Sequence, residues 1–239
     1  MRLAIISVPR AEVNFVYQSL LSLFTMAEFP GEVHIFVGME DDGYLRFLDG
    51  SPRVIFHRMG ADDWRSIAGW GLHRRHTYNY WKCLDHFARL GEGLCLCEDD
   101  VLYDHRFWPK LAETVGEMDD KFREYVLALY SEADYGGNPD LLRGRLVSAY
   151  PASHFFGTQG MYFPPTTIGL YADYLRSHGL DREGKPTDLL IGDLCNELQN
   201  VYLARSSLVQ HIGRISTGLG FFHSSPSFGR PWPAEASAR

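Results

Sequence analysis

Cysteine is scarce in this chain: four among 239 residues, at Cys83, Cys95, Cys97 and Cys195. None forms a Cys-x-x-Cys pair or sits beside a histidine pair, so neither a cysteine zinc site nor a disulfide framework is expected. Reduced, buried thiols are the expected state, and they fit a cytoplasmic protein. Long apolar runs are missing too. No stretch approaches the roughly 20 residues that cross a bilayer, and the run after Met1 is too short for a signal segment. No transmembrane segment is therefore expected. Positive charge is in deficit, with 23 Lys and Arg against 30 Asp and Glu. A protein that grips nucleic acid through its phosphates carries the opposite balance, so no nucleic-acid partner is expected. The charged share of 22% is ordinary, which excludes a disordered or fibrous chain.

What is present is enough apolar material, 45% of residues, for one substantial core. With neither internal repeat nor low-complexity linker, the economical reading is one domain in two functional halves, 1–104 and 105–239. Leu3 to Val8 reads as a buried strand closed by Pro9. Apolar residues at helical spacing follow from Glu12 to Met26 and stop before Pro30-Gly31. Val33 to Gly38 and Arg53 to His57 read as strands, and 59–75 as irregular. Thr77 to Leu90 reads as a helix that Gly91-Glu92-Gly93 stops, and Leu94 to Cys97 as a strand. Alternating strand and helix predict an α/β fold with a mostly parallel sheet covered on both faces. The second half is less regular. Strands are expected at 124–130, 145–150 and 207–212, a Gly-bounded segment at 157–163, and helices at 166–176 and 187–199.

Ligands of such sheets bind beyond the carboxyl ends of the strands. Ser7-Val8-Pro9-Arg10 lies at one such end and Glu98-Asp99-Asp100 at another. Three adjacent carboxylates repel one another unless something positive meets them. In an extended segment Glu98 and Asp100 would point one way and Asp99 the other, making an oxygen-rich site suited to Mg²⁺ or Mn²⁺. A solvated acidic turn or a helix cap is the alternative. Arg74 and Arg75 in His73-Arg74-Arg75-His76 suit an anionic ligand, or else form an exposed basic turn. Asp188, in Pro186-Thr187-Asp188-Leu189, is a helix cap or a base that takes a proton from a hydroxyl, and Asp193 is structural. His211 on the last strand is a core histidine unless the fold returns it to the acidic triplet.

Taken together, these segments resemble one family. They are Ile6-Ser7-Val8-Pro9-Arg10, the Arg-rich stretch, Cys97-Glu98-Asp99-Asp100-Val101, Gly160-Met161-Tyr162-Phe163, Lys185-Pro186-Thr187-Asp188-Leu189-Leu190 and Ser206-Ser207-Leu208-Val209-Gln210-His211-Ile212-Gly213. In order and rough spacing the chain resembles the inverting type IV N-acetylglucosaminyltransferases, from the first strand to about Gly220. The resemblance implies a GT-A fold, one Rossmann-like sheet carrying a donor site, with a smaller acceptor-side region. It implies Mn²⁺ or Mg²⁺ on Asp100 and His211, with Glu98 facing the ion or the ribose and Asp99 beside it. Arg75, with Arg74, would meet the donor phosphates, Ser7, Val8, Pro9 and Arg10 would border the nucleobase, and Asp188 would be the base. The chain is shorter than the animal enzymes, and the anchor, stem and lectin-like module of those enzymes are not recognisable in it.

The implied partners are a UDP-sugar donor and a saccharide or small-molecule acceptor, and the implied reaction is transfer to a hydroxyl with inversion. Two other function classes compete. A metal-dependent hydrolase would need further ligands around the same carboxylates. A non-catalytic carbohydrate-binding or scaffold protein would use aromatics such as the 13 Tyr and 5 Trp to stack on sugar rings. Acceptor contacts are sought around 135–138, 154–159 and 221–228.

Overall fold

The computed structural model describes residues 1–10, 13–135, 138–155, 157–180, 185–214 and 222–232. Among these the first half alternates strand and helix: β1 (Arg2–Ser7), α1 (Phe15–Met26), β2 (Val33–Val37), β3 (Val54–Arg58), α2 (Ala61–Ile67), α3 (Leu72–Leu90) and β4 (Leu94–Glu98). The second half contributes β5 (Val101–Tyr103), α4 (Phe107–Asp119), β6 (Val126–Ala128), β7 (Val147–Ala149) and β8 (Gly160–Phe163). It ends with α5 (Ile168–Tyr174), α6 (Thr187–Leu198), β9 (Val201–Ala204) and β10 (Val209–His211).

Eight strands form one sheet in the order β3-β2-β1-β4-β8-β6-β9-β7. The four strands of the first half are mutually parallel. β8 runs antiparallel between β4 and β6, and through it the sheet continues unbroken from one half of the chain to the other. β6 and β9 are again parallel, and β7 closes the edge antiparallel to β9. The expected α/β architecture with a mostly parallel, two-faced sheet is what forms.

The strand sequences explain both faces. On β1, Leu3 and Ile5 join the core beneath α1, while Ala4 and Ile6 join the core beneath α3 and α5. β4 divides likewise: Cys95 and Cys97 on the first face, Leu94 and Leu96 on the second. The Cys95 and Cys97 sulfurs lie 4.0 Å apart on one face, and all four cysteines are buried free thiols. Each alternate residue is thus apolar because each face is covered.

Several boundaries differ from the sequence expectation. Within 59–75, expected to be irregular, Gly60 starts α2, where its N–H donates to Asp63 at 3.0 Å. α3 begins at Leu72, not Thr77, so Arg74 and Arg75 lie inside the first turns of the helix rather than before it. α4 and β9 had no sequence expectation, and the residues expected as one long helix from 166 divide into α5 and a π-turn at Leu175–Gly179. No helix among the described residues is long and apolar enough to cross a membrane.

Candidate functional site

The acidic triplet is neither an extended strand nor a solvated turn. β4 ends at Glu98, and Asp99 and Asp100 form a tight turn into β5. Both aspartates are almost fully buried, at 2% and 3% exposure. Charges so placed require partners, and the loop after β1 supplies them. Asp99 Oδ2 accepts from Ser7 Oγ at 3.0 Å and from the Val8 N–H at 2.9 Å, and its Oδ1 accepts from Arg10 at 2.6 Å. The other nitrogen of the Arg10 fork donates to Asp100 Oδ2 at 2.8 Å. The simple alternation expected for an extended segment is therefore lost: the turn lets neighbouring aspartates share one guanidinium.

His211 reaches the same carboxylate from the end of β10. β10 pairs with β5 antiparallel, His211 opposite Val101, and the Ile212 N–H donates to the Asp100 carbonyl at 2.8 Å. This places His211 Nε2 3.3 Å from Asp100 Oδ2, while Nδ1 donates to the His223 carbonyl at 3.1 Å. The fold thus makes the return that the sequence left open. His211 titrates higher than an ordinary imidazole: burial pulls it down, but the bond and charge of Asp100 outweigh that. Asp100 itself is held below the usual carboxylate range, because His211 and Arg10 overcome the upward push of burial. Its two neighbours go the other way. Burial, with Asp100 nearby, raises Glu98 to about 7, and burial raises Asp99 to about 6 against the pull of Arg10. Glu98 accepts one hydrogen bond from Thr158 Oγ1 at 2.7 Å.

Two observations fit this pair to a divalent cation. Asp100 Oδ1 is buried without a hydrogen-bond partner, which carries a cost unless an ion or water meets it. A side chain on Gly213 would fill the space beside the pair, since its Cβ would fall 2.0 Å from Asp100 Oδ2 and 2.6 Å from His211 Nε2. One carboxylate and one imidazole form a mixed oxygen and nitrogen donor set of the kind borderline divalent ions accept.

The start of α6 docks on the start of α3. His76 Nδ1 lies 2.8 Å from Thr187 Oγ1, and Thr77 Oγ1 2.9 Å from the same hydroxyl. Asp188 follows Thr187, half-buried, and caps no helix: its carboxylate accepts only from the neighbouring Leu189 N–H among the described contacts. Burial raises its pKa, with His73 opposing. His76 is pushed down to about 4 by burial and by His73, against the pull of Asp100. Asp193 forms a surface ion pair with Lys185, in keeping with a structural role.

The two arginines of the Arg-rich stretch are engaged on the α2 side. The Arg74 guanidinium lies 3.8 Å from the centre of the Trp70 ring, and Arg75 donates to the Ala68 carbonyl at 2.8 Å. The cation on the acidic turn is Arg10, a role its position in the sequence did not suggest. Pro9 is half-buried in the same loop. Tyr44 was missed as well: its hydroxyl lies 2.8 Å from Ser7 Oγ behind the turn. Of the expected acceptor segments, 136–137, Phe156 and Phe221 lie outside the described residues. Phe222 stacks on His211 at 5.7 Å, and Tyr130 and Gln159 reach His223.

No protein-family model matches the chain, and no curated protein does. Solved structures do. The apo bifunctional glycosyltransferase WbbM aligns at TM-score 0.50 and 12% identity over 84% of this chain and 38% of that one. A putative glucose-1-phosphate thymidylyltransferase from Bacillus anthracis, solved with a sucrose, aligns at 0.50 and 11% over 89% of both chains. The galactosyltransferase LgtC, solved with donor and acceptor sugar analogues, aligns at 0.46 and 13% over 80% of this chain and 70% of that one. This chain spans well under half of the length of WbbM. Such identities speak for architecture alone, and the architecture is the GT-A-like sheet shared by glycosyltransferases and nucleotidyltransferases.

Proposed function

We propose that this protein is a metal-dependent glycosyltransferase that moves a sugar, GlcNAc by the sequence resemblance, from a UDP-sugar to a hydroxyl of a saccharide or small acceptor. The observation that carries the reading is the meeting of Asp100 Oδ2 and His211 Nε2, 111 residues apart in sequence, at the end of β4 beside Gly213, with the other Asp100 oxygen, Oδ1, buried and partnerless. Asp100 and His211 would hold Mn²⁺ or Mg²⁺. When bound, such an ion offsets the charge that develops on a leaving nucleoside diphosphate.

The chain's own groups do the rest. Arg10 holds the acidic turn in place by bridging both aspartates. The His223 carbonyl accepts a hydrogen bond from the Nδ1–H of His211 and so orients Nε2 toward Asp100. Asp188, raised above its ordinary range by burial, accepts the proton of the attacking hydroxyl. A base with no partner nucleophile in the proposed machinery favours a single displacement with inversion.

Transfer is measured with a panel of UDP-sugars in Mn²⁺ or in EDTA, for the unmodified protein and for Asp100→Ala. Turnover should require the metal and fall by about 10²-fold or more in the variant; unchanged turnover removes Asp100 from the site. Asp188→Asn should lower kcat by about 10²–10⁴-fold with UDP-sugar affinity retained. If donor affinity falls in parallel, Asp188 holds structure instead. Should the protein bind a sugar without needing the ion or UDP, the carbohydrate-binding alternative takes over.

A further inference from the structure

Three histidines that have no part in the proposed donor site lie together in the first half of the chain. His34 is on β2, His57 on the parallel neighbour β3, and His86 on α3, which covers that face of the sheet. The register sets His34 opposite Ile55 and His57 opposite Phe36, so the two histidines share a face diagonally. His34 Nδ1 is 2.8 Å from His57 Nε2. The His57 and His86 rings are centred 4.7 Å apart, and one nitrogen from each of the three residues lies within 4.8 Å of the others.

Their surroundings are apolar and aromatic. Phe36 stacks on His57 at 4.2 Å, and Phe87 meets His34 and His86 edge-on. Three imidazoles in such a setting call for an explanation. A hydrogen bond between His34 and His57 accounts for two nitrogens only. It gives His86 no part.

We propose that His34, His57 and His86 bind one divalent transition-metal ion of the zinc class. Three imidazoles suit zinc, copper or nickel and are a poor match for Mg²⁺ or Mn²⁺, which favour oxygen. Tetrahedral zinc with bonds of about 2.0–2.1 Å sets ligand nitrogens roughly 3.3 Å apart, inside the span between the 2.8 Å pair and the 4.8 Å limit. His57 and His86 are half-buried, which leaves the fourth position to water. The ion would tie β3, the edge strand, to β2 and to the helix above them. The cluster shares no residue with the proposed donor site and takes a different class of metal.

The test starts from full-length protein stripped of metal with a chelator. Zinc at a hundredfold excess over its Kd should raise Tm by about 5–10 °C. The rise should vanish in His57→Phe, whose ring can stack on Phe36 as the imidazole does, and in His86→Gln. It should persist in Asp100→Asn, which weakens the donor-site pair. No rise in the unmodified protein, or an equal rise in the histidine variants, reduces the cluster to a hydrogen-bonded imidazole stack and overturns the proposal. X-ray absorption on unmodified protein carrying one equivalent of zinc decides the matter even if the variants fail to fold. A shell of three imidazole nitrogens is expected, and a shell of oxygens overturns it.

Discussion

Gly213 has no side chain to place in the site, yet the site depends on it. A methyl group there would overlap Asp100 Oδ2 and crowd His211 Nε2. Both are ends of short side chains pinned elsewhere, Asp100 by Arg10 and His211 by the His223 carbonyl, so neither gives way cheaply. Gly213→Ala should weaken divalent-ion affinity by about 10–100-fold, the usual effect of disturbing the surroundings of a ligand. Tm should fall by several degrees as well, because the added methyl meets two buried side chains that are held in place. Calorimetric titration of Mn²⁺ beside a thermal melt checks both halves, and an unaltered Mn²⁺ affinity contradicts the cradle. At this scale the sequence was only partly legible. The triplet, Asp188 and His211 were found as residue types at strand and helix ends. The pairing of Asp100 with His211 came from resemblance, since nothing local links positions so distant. Arg10 was placed beside the nucleobase by the resemblance, and its bridging of Asp99 and Asp100 escaped because a lone arginine after a strand carries no pattern. His34, His57 and His86 escaped because their spacing follows strand register and helix packing, which no linear motif records.

Elements were read best where periodicity was strong. β1, β2, β3 and β4 came within a residue or so because each is an apolar run between turn residues, buried on both faces in β1, β2 and β4 and half-buried in the edge strand β3. The start of α3 was read five residues late, since glycines at 69 and 71 masked a helix whose first turns are polar. Those turns matter to the contact between α3 and α6. His76 Nδ1 meets Thr187 Oγ1 there, with His73 and Arg10 adding positive charge and Asp100 opposing it. The folded pKa of about 4 lies below the ordinary 6.5. The neutral ring therefore contributes its full stability above about pH 6.5 and loses it as pH falls toward 4. Urea unfolding at pH 7.5, 6 and 5 should show declining stability, with a shallower decline in His76→Asn, which keeps a polar group near Thr187 without a titrating ring. Parallel pH profiles for the two proteins would remove His76 from that linkage.

For the whole molecule, the part hardest to read in advance is how the last described segment, 222–232, returns over the second half. Its composition of Gly, Ser and Pro signals a loop but not where the loop goes. In the structure the Ser225 and Ser227 hydroxyls join Ser207, and Ser225 N–H donates to Gln210, so the segment runs alongside β10. Trp232 then anchors it: the ring is 2% exposed, its indole N–H donates to Glu113 at 3.0 Å, and Lys110 lies 5.7 Å from the ring centre. The same segment carries His223, whose carbonyl fixes the orientation of His211. Global stability and the proposed donor site are thereby joined through one strap. Trp232→Ala should cost about 3–5 kcal/mol, which for a chain of this size lowers Tm by roughly 10 °C. Well below that lowered Tm, where the variant is still folded, Mn²⁺ affinity should also fall, because the strap that positions the His223 carbonyl has lost its anchor. Trp232→Phe keeps most of the burial and drops the indole N–H, so it should recover most of the Tm and of the ion affinity together. Recovery of stability without recovery of affinity would show that the strap orients His211 through the Glu113 hydrogen bond and not through packing.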